Sequence, residues 1–124
     1  MELADALEAG SAQGARAAYV ARNRAALARH RILAWDLCRL ISVARGAHTL
    51  GLLSAEETWG LVLEAGRRLR AEYGSWKELG DDFLLGLGFW DPDAAQSGGV
   101  YPAMVRWLQK DARSPWQRVP FGAE

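Results

Sequence analysis

Apolar residues recur along this chain with the three-to-four residue spacing of helices, and no run shows the strict alternation of a half-buried strand. Residues 2–9 and 12–29 are alanine-rich and poor in β-branched side chains, which favours helix in both, with Gly10 and Ser11 as the break between them. Across residues 30–49, Leu33, Leu37, Leu40 and Ala44 share one helical face with Ile41 beside them, while Trp35 points to the other side. Apolar side chains on nearly all sides predict a helix surrounded by protein, the central one of a small domain. On the same wheel Asp36 and Arg39 fall on a stripe with Ile32 and Val43, so this charged pair is expected to be at least partly enclosed.

Two helix starts carry their own mechanism. In "SAEETW" the Ser54 side chain can accept from the Glu57 amide while Glu57 reaches back to the Ser54 amide, and Ser75 with Glu78 in "SWKEL" repeats the arrangement. The first box opens a helix of about residues 55–73 whose inward stripe reads Trp59, Val62, Leu63, Gly66, Leu69 and Tyr73, with Gly74 as its stop. The second opens a helix over 76–90 with Trp76, Leu79, Phe83, Leu87 and Trp90 inward. Gly80, Gly86 and Gly88 inside that helix each cost about 1 kcal/mol relative to alanine. Close approach of a neighbouring helix backbone would offset the cost, and an irregular end beginning near Gly86 is the alternative.

"DPDAAQSGG" reads as turn and loop, and a last helix is predicted from Tyr101 to Ala112 with Pro102 in its first turn. The tail "SPWQRVPFGAE" should be extended, with Trp116 and Phe121 as anchors. The fold class is therefore all-α: one compact bundle of about five helices around the Trp-Asp-x-x-Arg helix. It is one domain overall, made of an alanine/arginine-rich helical segment at 1–29 and a helical core at 30–124.

The 124 residues suffice for a single core. Net charge is zero but unevenly placed: residues 11–45 hold seven arginines against Asp36 alone, and residues 51–95 hold nine acids against four bases. Either these halves neutralise each other in the fold or they form a basic face for an acidic partner. A single cysteine, Cys38, excludes an intramolecular disulfide and fits a reducing compartment. The acidic beginning "MELADALEAG" does not resemble a secretory signal, and no run approaches the roughly 18 apolar residues of a membrane span. These features predict a cytoplasmic protein without membrane contact.

Candidate chemistry is sparse. Asp36 and Arg39, with Glu57, are the candidate polar centre: either a structural ion pair or a guanidinium clamp for a ligand carboxylate or phosphate, oriented by Asp36. His48 precedes Glu56 and Glu57, but two histidines without a helical H-x-x-x-H and no C-x-x-C argue against a metal, and no cofactor is expected. Asp81, Asp82, Asp91 and Asp93 read as solvated carboxylates lacking calcium-loop spacing. "GLGFWD" has neither a preceding strand nor the third glycine of a dinucleotide fingerprint. Cys38 reads as an inert buried thiol. The arginines at 16, 22, 24, 29 and 31 lack a helix-turn-helix spacing, so nucleic acid is not the expected partner.

Three stretches, "AWDLCRLISVARGAHTLGLLSAEETW", "YGSWKELGDDFLLGLGFW" and "SPWQRVPF", together resemble the bacterial family of domain of unknown function 1266 over residues 32–121. The matching positions are Trp35, Asp36 and Arg39; Gly51, Glu56 and Glu57; Ser75 and Trp76; Gly86 and Trp90; and Ser114, Pro115 and Trp116. Cys38 departs from the glycine of that pattern, Leu87 from its polar residue, and the alanine/arginine segment stands where the family has a tryptophan-bearing helical segment. The resemblance implies an all-α domain and no established catalysis. With no catalytic constellation in view, the chain reads as a non-catalytic helical protein-interaction domain, of accessory or immunity type, binding a cognate protein. The alternatives are an enzyme or small-ligand binder with a pocket centred on Arg39 and Asp36, and self-association through exposed tryptophans.

Overall fold

The computed structural model describes residues 14–96 and 98–122, and the helix predicted over 2–9 lies outside them. Helical residues 14–22 (α1) are followed by α2 (Arg24–His30), α3 (Leu33–Thr49), α4 (Ala55–Glu72), α5 (Trp76–Trp90), α6 (Val100–Lys110) and α7 (Pro115–Arg118). Among the described residues there is no strand, so the all-α class holds. The continuous helix predicted over 12–29 is instead interrupted at Asn23.

α3 is central, packing against both α4 and α5. The core consists of Ala34 and Leu37 from α3, Ala65 and Leu69 from α4, Tyr73 from the link, and Leu79 from α5. Leu33, Cys38, Ile41, Phe83, Trp116 and Phe121 pack around it. Enclosure is less complete than the wheel predicts, because the α3 face carrying Asp36, Arg39, Leu40 and Val43 is exposed. Burial of Cys38 pushes its thiol up to about 11, which keeps it protonated and unreactive.

α4 is rotated from its predicted orientation. Its buried residues are Thr58, Ala65 and Leu69, whereas Trp59 and Leu63 are exposed. The residues that α4 gives to the core are Ala65 and Leu69, and the bulky flank with Trp59 and Leu63 is turned outward.

The start of α4 follows the sequence: Ser54 accepts from the Glu57 amide and Glu57 from the Ser54 amide, both at 3.0 Å. Gly51 enters that turn with φ +79°, a conformation suited to glycine. α5 differs from prediction in its cap. Ser75 accepts from the Glu78 amide, but the Glu78 carboxylate reaches the Gly74 amide (3.0 Å) instead of that of Ser75.

α5 is regular to Trp90, which removes an irregular end as the reason for its glycines. A Cβ at Gly80 would meet the Trp116 ring, one at Gly88 the Tyr19 ring, and one at Gly86 the Cβ of Trp35 itself. Only at Gly86 is the obstacle the root of a side chain, fixed to the start of α3. The tail holds one helical turn where extended chain was expected. Fully buried Ser114 caps it, donating to the Leu108 carbonyl (2.6 Å) and accepting from the Trp116 amide, with Pro115 next. Both predicted anchors engage Trp76: Trp116 stacks on it at 5.3 Å and Phe121 meets it edge-on at 5.0 Å. The Trp76 indole N–H donates to the Val119 carbonyl.

Candidate functional site

The chain between α4 and α5 gathers the molecule's main polar cluster. Tyr73 ends α4 in an extended conformation (φ −110°, ψ 150°), which turns its ring into the core. Its hydroxyl accepts from the Ala34 amide at 3.0 Å and donates to the Asp82 carboxylate. Ala34 lies in the first turn of α3, where amides lack intrahelical partners and Ile32 provides no side-chain cap. The tyrosine therefore substitutes for a cap from a distant part of the chain.

Asp82 is only 7% exposed. Burial raises its carboxyl above the usual range, against the lowering effects of the Tyr73 hydrogen bond and nearby His30. Burial and the same hydrogen bond push the Tyr73 hydroxyl upward, so it stays protonated.

His30, the last residue of α2, lies on the Tyr73 ring at a centroid distance of 4.5 Å. Its Nδ1 meets Glu72 Oε1 at 2.8 Å and its Nε2 meets Glu78 Oε1 at 3.0 Å. The Glu72 bond is the main cause of a raised imidazole value, partly opposed by desolvation. Glu78 is lowered, first by the Gly74 amide and then by His30. Beside this cluster runs a cleft of about 340 Å³, with Ala26, Arg29 and His30 of α2 on one wall and Glu78, Asp82 and Leu85 of α5 on the other.

Both His30 nitrogens and the Tyr73 hydroxyl are already engaged, so neither group can reach a substrate without breaking a bond it makes here. No group of three or more histidine, cysteine, aspartate or glutamate side chains suited to a metal occurs among the described residues.

The residues singled out in the sequence lie elsewhere. Asp36 and Arg39 are exposed rather than enclosed, and among the described residues no ion pair joins them. Asp36 lines a second cleft with Arg29, Arg31 and Glu72, and Arg39 is not among its lining residues. Glu57 is committed to its cap, which lowers its carboxyl through the Ser54 amide. His48 donates from Nδ1 to the Leu53 carbonyl (3.0 Å), and among the described residues no ion pair joins it to Glu56 or Glu57. Ser75, Trp76, Gly86, Ser114, Pro115 and Trp116 shape the fold, whereas Glu56 and Trp90 are exposed, Trp90 beneath the Arg16 guanidinium at 5.3 Å.

Sequence reasoning missed His30 and placed Asp82 in solvent. A signal for Asp82 existed: it follows Leu79 by three residues and precedes Gly86 by four, on the inward face of α5. Nothing in the local pattern marks His30, whose partners are 42 and 48 residues away.

A larger concavity of about 640 Å³ opens between the C-terminal half of α3 and the start of α4. Arg45, Gly46, Thr49, Thr58, Trp59 and Val62 contribute to its lining. Trp59 is 62% exposed, and Leu50 and Leu52 in the adjoining turn are 76% and 74% exposed.

Fold and site together define a small helical domain with an internally satisfied polar corner and an open apolar end. The family model described as "Protein of unknown function (DUF1266)" matches residues 2–121, and the chain belongs to that family. The match begins well upstream of residue 32 and takes in the alanine/arginine-rich segment. No curated protein and no solved structure matches the chain.

Proposed function

We propose that this domain is a non-catalytic protein-interaction module that receives a partner protein at the open end of the α3–α4 pair. The observation that carries the reading is Trp59, a large aromatic side chain turned outward at the edge of a 640 Å³ groove and accompanied by exposed Leu50 and Leu52. Apolar surface grouped around a concavity and rimmed by polar residues such as Arg45 and Thr49 is characteristic of docking sites, and tryptophan and arginine are the residue types that most often dominate binding energy. Engagement of His30 and Tyr73 within the protein supports the non-catalytic part of the reading. In its finer form this is an accessory or immunity-type role, in which the module holds one cognate protein by shape and charge.

The test is capture from the source cell with a photo-crosslinking residue at position 42, which lines the same groove and leaves Trp59 in place. The reading expects one protein to be crosslinked there, with retention weakened at least about tenfold by Trp59→Ser, as for an aromatic hot spot. Equal retention by parent and variant, or crosslinking only to a second copy of the chain, would remove it; molar mass in solution separates the latter case.

A further inference from the structure

α2 is held to the rest of the protein in an unusual way. None of its residues is buried, and its last residue, His30, ties it to the α4–α5 corner through two carboxylates. An ionised carboxylate only accepts, and a neutral imidazole has one N–H to give. Satisfying Glu72 and Glu78 together therefore requires both ring nitrogens to carry hydrogen. The next residue, Arg31, has φ +58° and ψ −123°, a backbone conformation that side chains other than glycine rarely adopt. The chain thus passes from an ionic clasp through a strained residue into α3, and the α2 wall of the 340 Å³ cleft is fixed at that point.

We propose that protonated His30 is a pH-operated clasp that holds α2 across the cleft, and that its deprotonation frees α2 and opens the cleft to Asp82. When the ring becomes neutral, one nitrogen presents a lone pair to a carboxylate and that bond turns repulsive. The strain at Arg31 then favours movement of α2 over re-formation.

The groups around the ring set the range. Glu72 of α4 and Glu78 and Asp82 of α5 favour the imidazolium, and two further carboxylates lie on the clefts that His30 lines, Asp81 on one and Asp36 of α3 on the other. The cations on these clefts are Arg29 and Arg31, which flank His30 in sequence, and Lys77 on α5, while the Tyr73 hydroxyl stays neutral. Because the folded His30 value is raised above 6.5, the clasp is complete below that pH and is lost as pH rises through the raised value. On the acid side Glu78, lowered in the folded state, keeps its half of the clasp until pH falls below the usual carboxylate range.

An NMR titration from about pH 5 to about pH 9 tests this, following the His30 ring and the exchange of the α2 amides after correction for intrinsic base catalysis. A His48→Gln variant assigns the ring signals. The expected result is a His30 midpoint above 6.5, with protection of residues 24–30 falling at least about tenfold through that same midpoint. Glu72→Gln should move both downward together, and His30→Gln should remove the pH dependence of α2. A His30 midpoint at or below 6.5, or α2 protection that does not follow the ring, overturns the proposal. If His30→Gln fails to fold, the parent and Glu72→Gln titrations decide it.

Discussion

α4 and α5 begin alike and are used differently. Each starts at a serine whose side chain accepts from the amide of a glutamate three residues on, and each contains interior glycines. Around α5 nearly every side is occupied: Leu79, Gly80, Asp82, Gly86, Leu87 and Gly88 are buried, and rings from α1, α3 and α7 fill the spaces that its glycines leave. Along α4 only Thr58, Ala65 and Leu69 are buried, nothing lies within 4 Å of where a Cβ would stand at Gly60 or Gly66, and Trp59, Leu61 and Leu63 face outward. One helix is built into the fold on most of its sides. The other lends it a narrow stripe and leaves a broad apolar flank that the fold does not use.

The largest effect should come from the corner that joins the two helices. Tyr73→Phe preserves the ring but strands the Ala34 amide and the buried Asp82 carboxylate. Denaturant titration should show a loss of about 3 kcal/mol, the range for buried groups left without partners when one is charged. A loss below about 1 kcal/mol would mean that water satisfies these groups and that the corner is not a structural joint.

Glycine replacements sharpen the contrast because they should differ in sign. Gly86→Ala drives a new Cβ into the Cβ of Trp35, which cannot move without shifting the start of α3. The overpacking cost exceeds the helix-propensity gain, for a net loss of about 1–2 kcal/mol. Gly60→Ala meets nothing and should stabilise by about 0.5–1 kcal/mol, visible as a higher unfolding midpoint. Two losses of equal size would show that α4 is covered at Gly60 after all.

Much of this architecture was legible because its signals are local. The Ser54–Glu57 box, the serine caps, Pro102 and the anchoring of Trp116 and Phe121 all act within a few residues or through large rings with few places to go. The wheel could not give rotation: Thr58, Val62, Ala65 and Leu69 make as good a stripe as the one through Trp59 and Leu63, and only packing against the rest of the core selects between them. The same limit applies to α3. Asp36 and Arg39 looked enclosed because α3 is apolar on most sides, yet the face that carries them is exposed while α3 packs against α4 and α5. The cluster that does form draws His30, Tyr73 and Asp82 from three separate stretches, and a spacing rule does not join residues that far apart.

The measurement closest to the central claim is the unfolding free energy of Trp59→Ser against the parent. If the α4 flank is spare surface kept for a partner, the loss should stay within about 0.5 kcal/mol, as for substitutions outside a core. A loss of about 3 kcal/mol or more would show that Trp59 belongs to the fold, and the docking face would have to be sought elsewhere.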